Sequence, residues 1–198
     1  MKKIKVAITG GIGTGKSTFT SYLESKGFPV INADNISNQL LSTDKNIKQQ
    51  IIKEFGNRSY SGKDVNRQFL AEQVFSDPIK LIKLNDVLHP IVLQEIDSLL
   101  ETNYKNEKIV FIEAALIYES GIEKKFDYVV LVTADYDIRL NRSVASKNFT
   151  AEDFKRRDSN QIPDKEKEKR ADFVFLNNDS REDLFKKADL LLLTLTSL

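Results

Sequence analysis

The chain contains no cysteine, a single histidine and a single methionine. Without cysteine, disulfides, thiolate catalysis and cysteine-held zinc or iron–sulfur centres are excluded. With His89 as the only histidine, multi-histidine metal sites and zinc-protease motifs are excluded, and any Ser/His/Asp triad would have to use this residue. The chemistry of the protein must therefore come from other side chains.

The sequence also lacks an excess of charge of either sign, because 30 basic residues are matched by 29 acidic ones. A formal net charge of +1 gives no global field that would hold the chain on nucleic acid or an anionic membrane, so local basic clusters must provide any anion binding. Long hydrophobic runs are missing too. The leucine-rich stretch Leu190 to Leu195 is far below the roughly 18 residues that span a bilayer, and it predicts a docked terminal helix.

The start of the chain, Met-Lys-Lys-Ile-Lys-Val-Ala-Ile, leads directly into a strand pattern and lacks the apolar stretch and cleavage site of a signal peptide. We therefore expect a cytoplasmic protein, a monomer or weak homo-oligomer, with no nucleic-acid or membrane partner. A length of 198 residues with 40% hydrophobic content is enough for one domain with a substantial core.

Five short β-branched runs alternate with helix-length segments, which predicts a parallel sheet in an α/β fold. Continuous apolar strands indicate burial on both faces of the sheet, and ligands of such sheets bind at the carboxyl ends of the strands. The predicted strands are residues 4–9, 28–32, 109–112, 128–133 and 173–176.

Two stretches between these strands are too long to be simple crossovers. Residues 35–107 contain apolar helical patterns and predict a helical insertion beside the mouth of the sheet, where a second substrate could bind. Residues 135–170 are densely charged and predict a mobile, solvated pair of helices, although a plain surface helix is the alternative for 164–170. The expected core of the single domain is 1–34, 108–134 and 171–198.

The strongest signal is Gly10-Gly11-Ile12-Gly13-Thr14-Gly15-Lys16-Ser17, which fits the P-loop pattern and follows an apolar strand. Its backbone amides can turn inward around a β-phosphate, and the next helix adds its positive N-terminal end. We expect Lys16 to bridge the β and γ oxygens and Ser17 to offer its hydroxyl to Mg²⁺. Dinucleotide-binding loops lack the Lys-Ser pair, so a nucleoside triphosphate is indicated. The predicted contacts are Gly11, Ile12, Gly13, Thr14, Gly15, Lys16, Ser17 and Thr18.

Two carboxylates follow predicted strands. Asp34 comes just after strand 28–32, where a kinase acting on an alcohol needs a base that orients the hydroxyl and accepts its proton. The alternative is that Asp34 only caps a helix starting at Asn35. Glu113 ends the third strand, and it either contacts the water shell of Mg²⁺ or is a plain strand-end carboxylate.

Three arginines lie in the charged stretch, and guanidinium groups suit the clamping of phosphates as a lid closes. Arg139, Arg142 and Arg157 are therefore candidates, with solvated surface arginine as the alternative for each of them. His89 precedes Pro90, and its spacing favours a residue at a helix boundary.

Together these residues resemble the dephospho-CoA kinase family, which phosphorylates the ribose 3′-hydroxyl of dephospho-CoA in the last step of coenzyme A synthesis. The likeness spans nearly the whole chain, whereas other P-loop proteins share only the loop. Beyond the loop it rests on Asn32-Ala33-Asp34, Phe55-Gly56, Arg67, Leu70, Val74-Phe75, His89-Pro90, Leu116-Ile117-Tyr118-Glu119, Arg142, Arg157, Gln161, Ala171-Asp172 and Asn177.

The resemblance implies a P-loop three-layer sandwich with a five-stranded parallel sheet, a helical acceptor-binding insertion and a lid. It implies ATP and Mg²⁺ as cofactors and dephospho-CoA as the acceptor. By the same resemblance Asp34 is the base and Lys16 and Arg142 stabilise the transferring phosphoryl group. The further implied contacts are Asn177 for the nucleotide and Arg67, His89 and Glu119 for the acceptor.

The chain departs from the family pattern at several positions. Asn32 stands where Asp is usual, Glu113 and Ala115 where Asp and Pro are usual, and Tyr118 where Phe is common. A second lid arginine is matched by Ser146, with Lys147 next to it.

Other functions of such a loop remain alternatives. A nucleoside monophosphate kinase usually carries proline in the loop, where this chain has Ile12. A nucleotide-dependent switch such as a GTPase would need Asn-Lys-x-Asp and Asp-x-x-Gly motifs, which are not at suitable positions. A regulatory ATPase would turn over ATP without an added acceptor.

Overall fold

The computed structural model describes residues 3–147 and 150–197, with the side chains of residues 75, 76, 78, 146 and 147 outside the description. The chain forms two compact units, Met1–Asn32 with Tyr104–Leu198, and Ala33–Asn103. The predicted replacement of a lid arginine by Ser146 and Lys147 therefore lies outside the described side chains, and the predicted domain boundaries stay predictions.

The first unit is built on a five-stranded, all-parallel sheet with the order β2-β5-β1-β6-β7. Three predicted strands match the structure in both bounds. The second strand starts only at Val30 and the third extends by one residue to Glu113. The sheet strands are β1 Ile4–Thr9, β2 Val30–Asn32, β5 Ile109–Glu113, β6 Tyr128–Thr133 and β7 Phe173–Leu176.

Hydrophobic burial holds this sheet between helices, as the continuous apolar strands predict. All five residues of β5 are buried, and Phe19 and Leu23 from helix α1, Lys16–Ser25, pack fully buried in the same core. The terminal helix α9, Arg181–Thr196, buries Leu184, Ala188, Leu191, Leu192 and Leu195, so the predicted docked helix is confirmed. No helix within the described residues is both long and apolar enough to cross a bilayer.

Within its described residues, the charged stretch after β6 forms three helices where the sequence predicts a pair. They are α6 Tyr136–Lys147, α7 Ala151–Asp158 and α8 Asp164–Glu168. A capping box fixes the start of α7, because Thr150 accepts from the Asp153 amide while Asp153 accepts from the Thr150 amide. Movement of this segment as a lid stays a prediction.

The second unit is mainly helical, with α2 Ala33–Thr43, α3 Lys45–Phe55, α4 Arg67–Ser76 and α5 Pro78–Glu101. It also contains a small antiparallel hairpin of β3 Tyr60–Ser61 and β4 Asp64–Val65, which the sequence analysis missed. The turn between them contains Gly62 at a φ of 62°, a left-handed conformation that favours glycine.

His89 does not lie at a helix boundary, so that interpretation is wrong. Helix α5 continues through His89 and Pro90 for about three further turns, to Glu101. A proline inside a helix removes one backbone hydrogen bond, here the one that the carbonyl of Asp86 would accept. The rule that proline ends a helix fails here because the long apolar face of α5 stabilises both halves, with Leu88, Val92, Ile96 and Leu100 buried.

Candidate active site

The phosphate loop joins β1 to α1 at the carboxyl edge of the sheet, and two of its glycines have no substitute. Gly13 and Gly15 have φ angles of 77° and 95°, which L side chains rarely adopt. A Cβ atom at Gly13 would lie 2.4 Å from the carbonyl oxygen of Arg139, and one at Gly15 would lie 2.4 Å from the amide nitrogen of Asn177. The loop is therefore packed directly against α6 and the end of β7.

Lys16 is the first residue of α1, and its ammonium lies over the loop. Its Nζ atom donates to the carbonyl oxygens of Gly10 at 2.7 Å and Gly11 at 3.2 Å. The buried hydroxyl of Thr14 donates to the same Gly11 carbonyl at 2.9 Å. These contacts hold the loop conformation and keep a cation beside the amides that would surround a phosphate.

Ser17 is held by a buried carboxylate. Its hydroxyl donates to Oε1 of Glu113 at 3.0 Å, while Oε2 of Glu113 accepts from Thr20 at 2.8 Å and from Asn32 at 3.2 Å. Glu113 is only 6% exposed. Because the Ser17 proton is directed to the carboxylate, the lone pairs of the Ser17 oxygen are left for a cation. Whether Glu113 also contacts metal-bound water stays a prediction.

Asn177 connects three parts of the predicted nucleotide site. Its side-chain amide donates to the Thr14 carbonyl at 2.8 Å, and its backbone amide donates to Thr133 at 2.7 Å. Its carbonyl accepts from Nη1 of Arg142 at 2.8 Å. The structure therefore brings together the phosphate loop, Asn177 and Arg142, and their role as nucleotide contacts stays a prediction.

Two cavities border this group of residues. One of about 520 Å³ lies along the phosphate loop and the start of α1 and is also lined by Arg142, Ser143 and Ala145. The other, of about 310 Å³, is lined by Gly15, Thr18, Arg142, Asn177, Arg181 and Leu184. The sequence analysis missed Arg181 and Leu184, although their place at the start of the last helix, just after Asn177, could have indicated them.

Glu119 is fixed by one hydrogen bond and one ion pair from the charged stretch 135–170, which is called the lid segment below. Its Oε1 atom accepts from the amide of Ile162 at 2.9 Å and lies 2.8 Å from the ammonium of Lys167, which is fully buried in α8. Glu119 thus holds α8 and the preceding loop against the segment after β5. Its predicted contact with the acceptor stays a prediction, and the sequence analysis missed Lys167.

Three of the residues predicted for the acceptor side, Asp34, Arg67 and His89, lie in the second unit. Asp34 lies inside the first turn of α2, which starts at Ala33 and not at Asn35, so the interpretation of Asp34 as a cap is wrong. One turn further on, Asn38 accepts a hydrogen bond from Arg67, the first residue of α4. The structure therefore places the start of α4 beside the turn of α2 that follows Asp34. Burial lowers the pKa of the His89 imidazole, and Asp86 partly offsets this.

Comparison with known proteins identifies the family. The family model described as dephospho-CoA kinase matches residues 4–183. The chain is 37% identical to the dephospho-CoA kinase of Fusobacterium nucleatum over 93% of this chain and 94% of that protein. It is 36% identical to that of Lactobacillus johnsonii, over 94% of this chain and 96% of that protein. The chain belongs to the dephospho-CoA kinase family.

Solved structures of these kinases and their neighbours have the same fold. A crystal structure from Thermus thermophilus matches with a TM-score of 0.84 and 33% identity, covering 98% of this chain and 99% of that one. Dephospho-CoA kinase from Campylobacter jejuni matches with a TM-score of 0.71 and 27% identity, covering 99% and 98%. A shikimate kinase from Acinetobacter baumannii, at 16% identity and a TM-score of 0.59, shares the fold alone. The predicted P-loop kinase fold and ATP-dependent phosphotransferase activity are confirmed.

Proposed function

We propose that this kinase transfers the γ-phosphoryl group of ATP, bound with Mg²⁺, to the ribose 3′-hydroxyl of dephospho-CoA in the cytoplasm, giving coenzyme A and ADP. The observation that carries the proposal is the joined geometry of phosphate loop, Asn177 and Arg142 in a chain of this family. Small-molecule phosphoryl transfer needs mainly positioning and charge stabilisation, which this arrangement can provide.

On the donor side, Lys16 and Arg142 supply the positive charge. Both donate to neutral backbone carbonyls, Lys16 to the loop and Arg142 to Asn177. A phosphate oxygen carries negative charge, so it attracts an ammonium or guanidinium group more strongly than a neutral carbonyl oxygen does. Both cations can therefore exchange these carbonyls for the phosphate oxygens where negative charge develops.

The residues around Ser17 fit Mg²⁺. Within residues 3–147 and 150–197, no group of three or more histidine, cysteine, aspartate or glutamate side chains could hold a metal ion. Mg²⁺ suits such a site because it is commonly held by few protein ligands together with phosphates and water. Ser17 would hold the ion through its hydroxyl oxygen, oriented by Glu113, and the bound ion would neutralise charge on the phosphate oxygens.

On the acceptor side, we propose Asp34 as the base and Arg67, His89 and Glu119 as acceptor contacts. Asp34 follows β2 by two residues, and the last residue of β2, Asn32, donates to the Glu113 that orients Ser17. The lowered pKa of His89 favours the neutral imidazole, which can donate a hydrogen bond without adding charge.

The test is ADP release with dephospho-CoA, CMP, UMP or AMP as acceptor, followed by Asp34→Asn. We expect turnover with dephospho-CoA, and a kcat about 10²- to 10⁴-fold lower in the variant, because an amide cannot accept the proton. The loose transition state of phosphoryl transfer depends less on a base, so a loss near the lower limit is expected. Loss of the charge at the helix start should cost only about 0.3–1 kcal/mol of stability.

The matched control is Asp44→Asn, the same change at the residue that caps α3 through the amides of Asn46 and Ile47. Asn caps a helix about as well as Asp, so this control should keep parent-like turnover and stability. Turnover with a nucleoside monophosphate alone would refute the proposed function. Parent-like kcat in Asp34→Asn would refute only the base.

A further inference from the structure

Among the arginines of the charged stretch whose exposure the structure describes, Arg139 is the most deeply buried. Its guanidinium contacts other protein groups, which distinguishes it from an arginine that is available to bind a phosphate. The residue lies in the first turn of α6 and is only 7% exposed. Its Nε atom donates to the carbonyl of Ala134 at 3.1 Å, and its Nη1 atom donates to Oδ1 of Asp158 at 2.7 Å. Two sides of the guanidinium are therefore committed to the protein.

These partners connect three elements of the lid segment. Ala134 directly follows β6, and Asp158 is the last residue of α7. A second carboxylate, Asp164 at the start of α8, lies 4.0 Å from Nε and accepts from Thr133 at 2.6 Å. One side chain thus joins the end of the sheet to both α7 and the start of α8.

Arg139 also contacts the phosphate loop on two sides. A Cβ atom at Gly11 would lie 2.6 Å from its Nη1 atom, and a Cβ atom at Gly13 would lie 2.4 Å from its carbonyl oxygen. Phe154 of α7 is fully buried and its ring centroid lies 5.7 Å from the guanidinium, a cation–π distance. Helix α7 is therefore held toward the loop by both a charged and an aromatic contact.

We propose that Arg139 is a positioning residue for phosphoryl transfer, which fixes helix α7 relative to the phosphate loop through its bond to Asp158. Arg157 precedes Asp158, so this bond also sets the position of the predicted lid arginine. The inference rests on the proposed function, because it assigns Arg139 a part in that transfer. A partly buried, charge-assisted bond is suited to this task, since it is strong and directional.

The test uses Arg139→Gln, Arg139→Lys and Asp158→Asn, with the double variant Arg139→Gln/Asp158→Asn. The matched control is Arg156→Gln, which removes the same charge from the exposed face of α7, where Arg156 pairs with Asp153 at 2.8 Å. Measurements are kcat and KM for ATP and dephospho-CoA, together with amide hydrogen exchange of residues 151–158. Melting curves report folding of each protein.

We expect kcat to fall about 10- to 100-fold in each single variant, with KM for dephospho-CoA little changed, because small misplacement at a catalytic site has this cost. Arg139→Lys should not rescue, since a compact ammonium cannot bond Ala134 and Asp158 in the fork geometry. The double variant should be no slower than the slower single one, because both changes break one interaction. Exchange should accelerate in α7 and not in the sheet, and Arg156→Gln should resemble the parent.

The proposal would be overturned if the kcat losses of the two single variants multiplied in the double variant. A parent-like kcat in the single variants, or unchanged amide exchange of α7 in them, would overturn it as well. If Arg139 variants do not fold, Asp158→Asn decides alone, because that side chain is a quarter exposed and the change removes only its negative charge, which leaves the arginine in place. If the parent does not turn over dephospho-CoA, the proposed function fails, while the exchange of α7 still decides whether Arg139 holds this helix.

Discussion

Glu113 offers a sharp test of how the metal position is prepared. The substitution Glu113→Gln keeps the size of the side chain and removes its charge. In the parent, the carboxylate accepts three hydrogen bonds, from Ser17, Thr20 and Asn32. An amide has only one acceptor oxygen, so its NH₂ group must face at least one of these donors.

The magnitude follows from which donor loses its acceptor. Thr20 and Asn32 share Oε2, so the amide oxygen best remains there and the NH₂ group faces Ser17. The Ser17 hydroxyl would then accept a hydrogen bond and turn its own proton toward the metal position. Loss of an outer partner of a metal ligand typically costs about 10- to 100-fold in metal affinity, and we expect this shift for Mg²⁺.

The assay is turnover at saturating ATP and dephospho-CoA as a function of Mg²⁺ concentration. Glu113→Gln should need about 10- to 100-fold more Mg²⁺ for half-maximal kcat, and excess Mg²⁺ should restore much of the rate. Glu107→Gln, the same change at an exposed residue before β5, is the control and should leave the midpoint in place. An unchanged midpoint in Glu113→Gln would show that the Ser17–Glu113 contact does not prepare the metal position.

Three further changes separate catalysis from stability. Lys16→Ala should remove nearly all transfer and leave the circular dichroism spectrum unchanged, and more than about a tenth of parental activity would contradict its role. Lys167→Met should lower the free energy of urea unfolding by about 3–5 kcal/mol, since it leaves the buried Glu119 carboxylate without its cation. A loss below about 1 kcal/mol, which is typical of a surface salt bridge, would contradict this. Tyr118→Phe should stabilise the protein by about 1 kcal/mol, because the buried hydroxyl has no hydrogen-bond partner among the described residues. Burial raises the pKa of Tyr118 to about 12 in the folded parent, so as pH rises above about 10 this tyrosine ionises first in the unfolded state and the parent loses stability. The difference in melting temperature between Tyr118→Phe and the parent should therefore grow above that pH.

The sheet and the phosphate loop could be predicted because their signals are local. Continuous apolar runs bounded by helix-length segments have few alternatives, and all five strands were found, with bounds that differ only at Val30 and Glu113. The loop was equally clear, since its glycines and the Lys-Ser pair occupy consecutive positions. The hairpin at Tyr60–Ser61 and Asp64–Val65 was missed because two-residue strands carry almost no alternating pattern.

The ion pairs of the lid segment could not be predicted, because the paired residues are distant in sequence. Charged side chains also usually lie at the protein surface, so a charged residue gives no sign that it is buried. Lys167 lies in a tract of mixed charges whose plainest interpretation is a solvated helix, yet its side chain is fully buried against Glu119. Arg139 similarly lies 19 residues from Asp158. Periodicity shows which residues are apolar, but only the tertiary structure shows which charges are compensated inside.

The type of acceptor that each cation contacts separates structural from catalytic charge in this kinase. Arg139 and Lys167 are bonded to carboxylates, whereas Arg142 donates to the backbone carbonyl of Asn177. A cation that leaves a carboxylate for a phosphate exchanges one charged partner for another and strands a buried anion, which is costly. A cation that leaves a neutral carbonyl gains a stronger bond and strands no charge. We therefore expect Arg142 to follow the nucleotide while Arg139 and Lys167 stay in place, so that the charged stretch 135–170 keeps its internal structure as Arg142 moves.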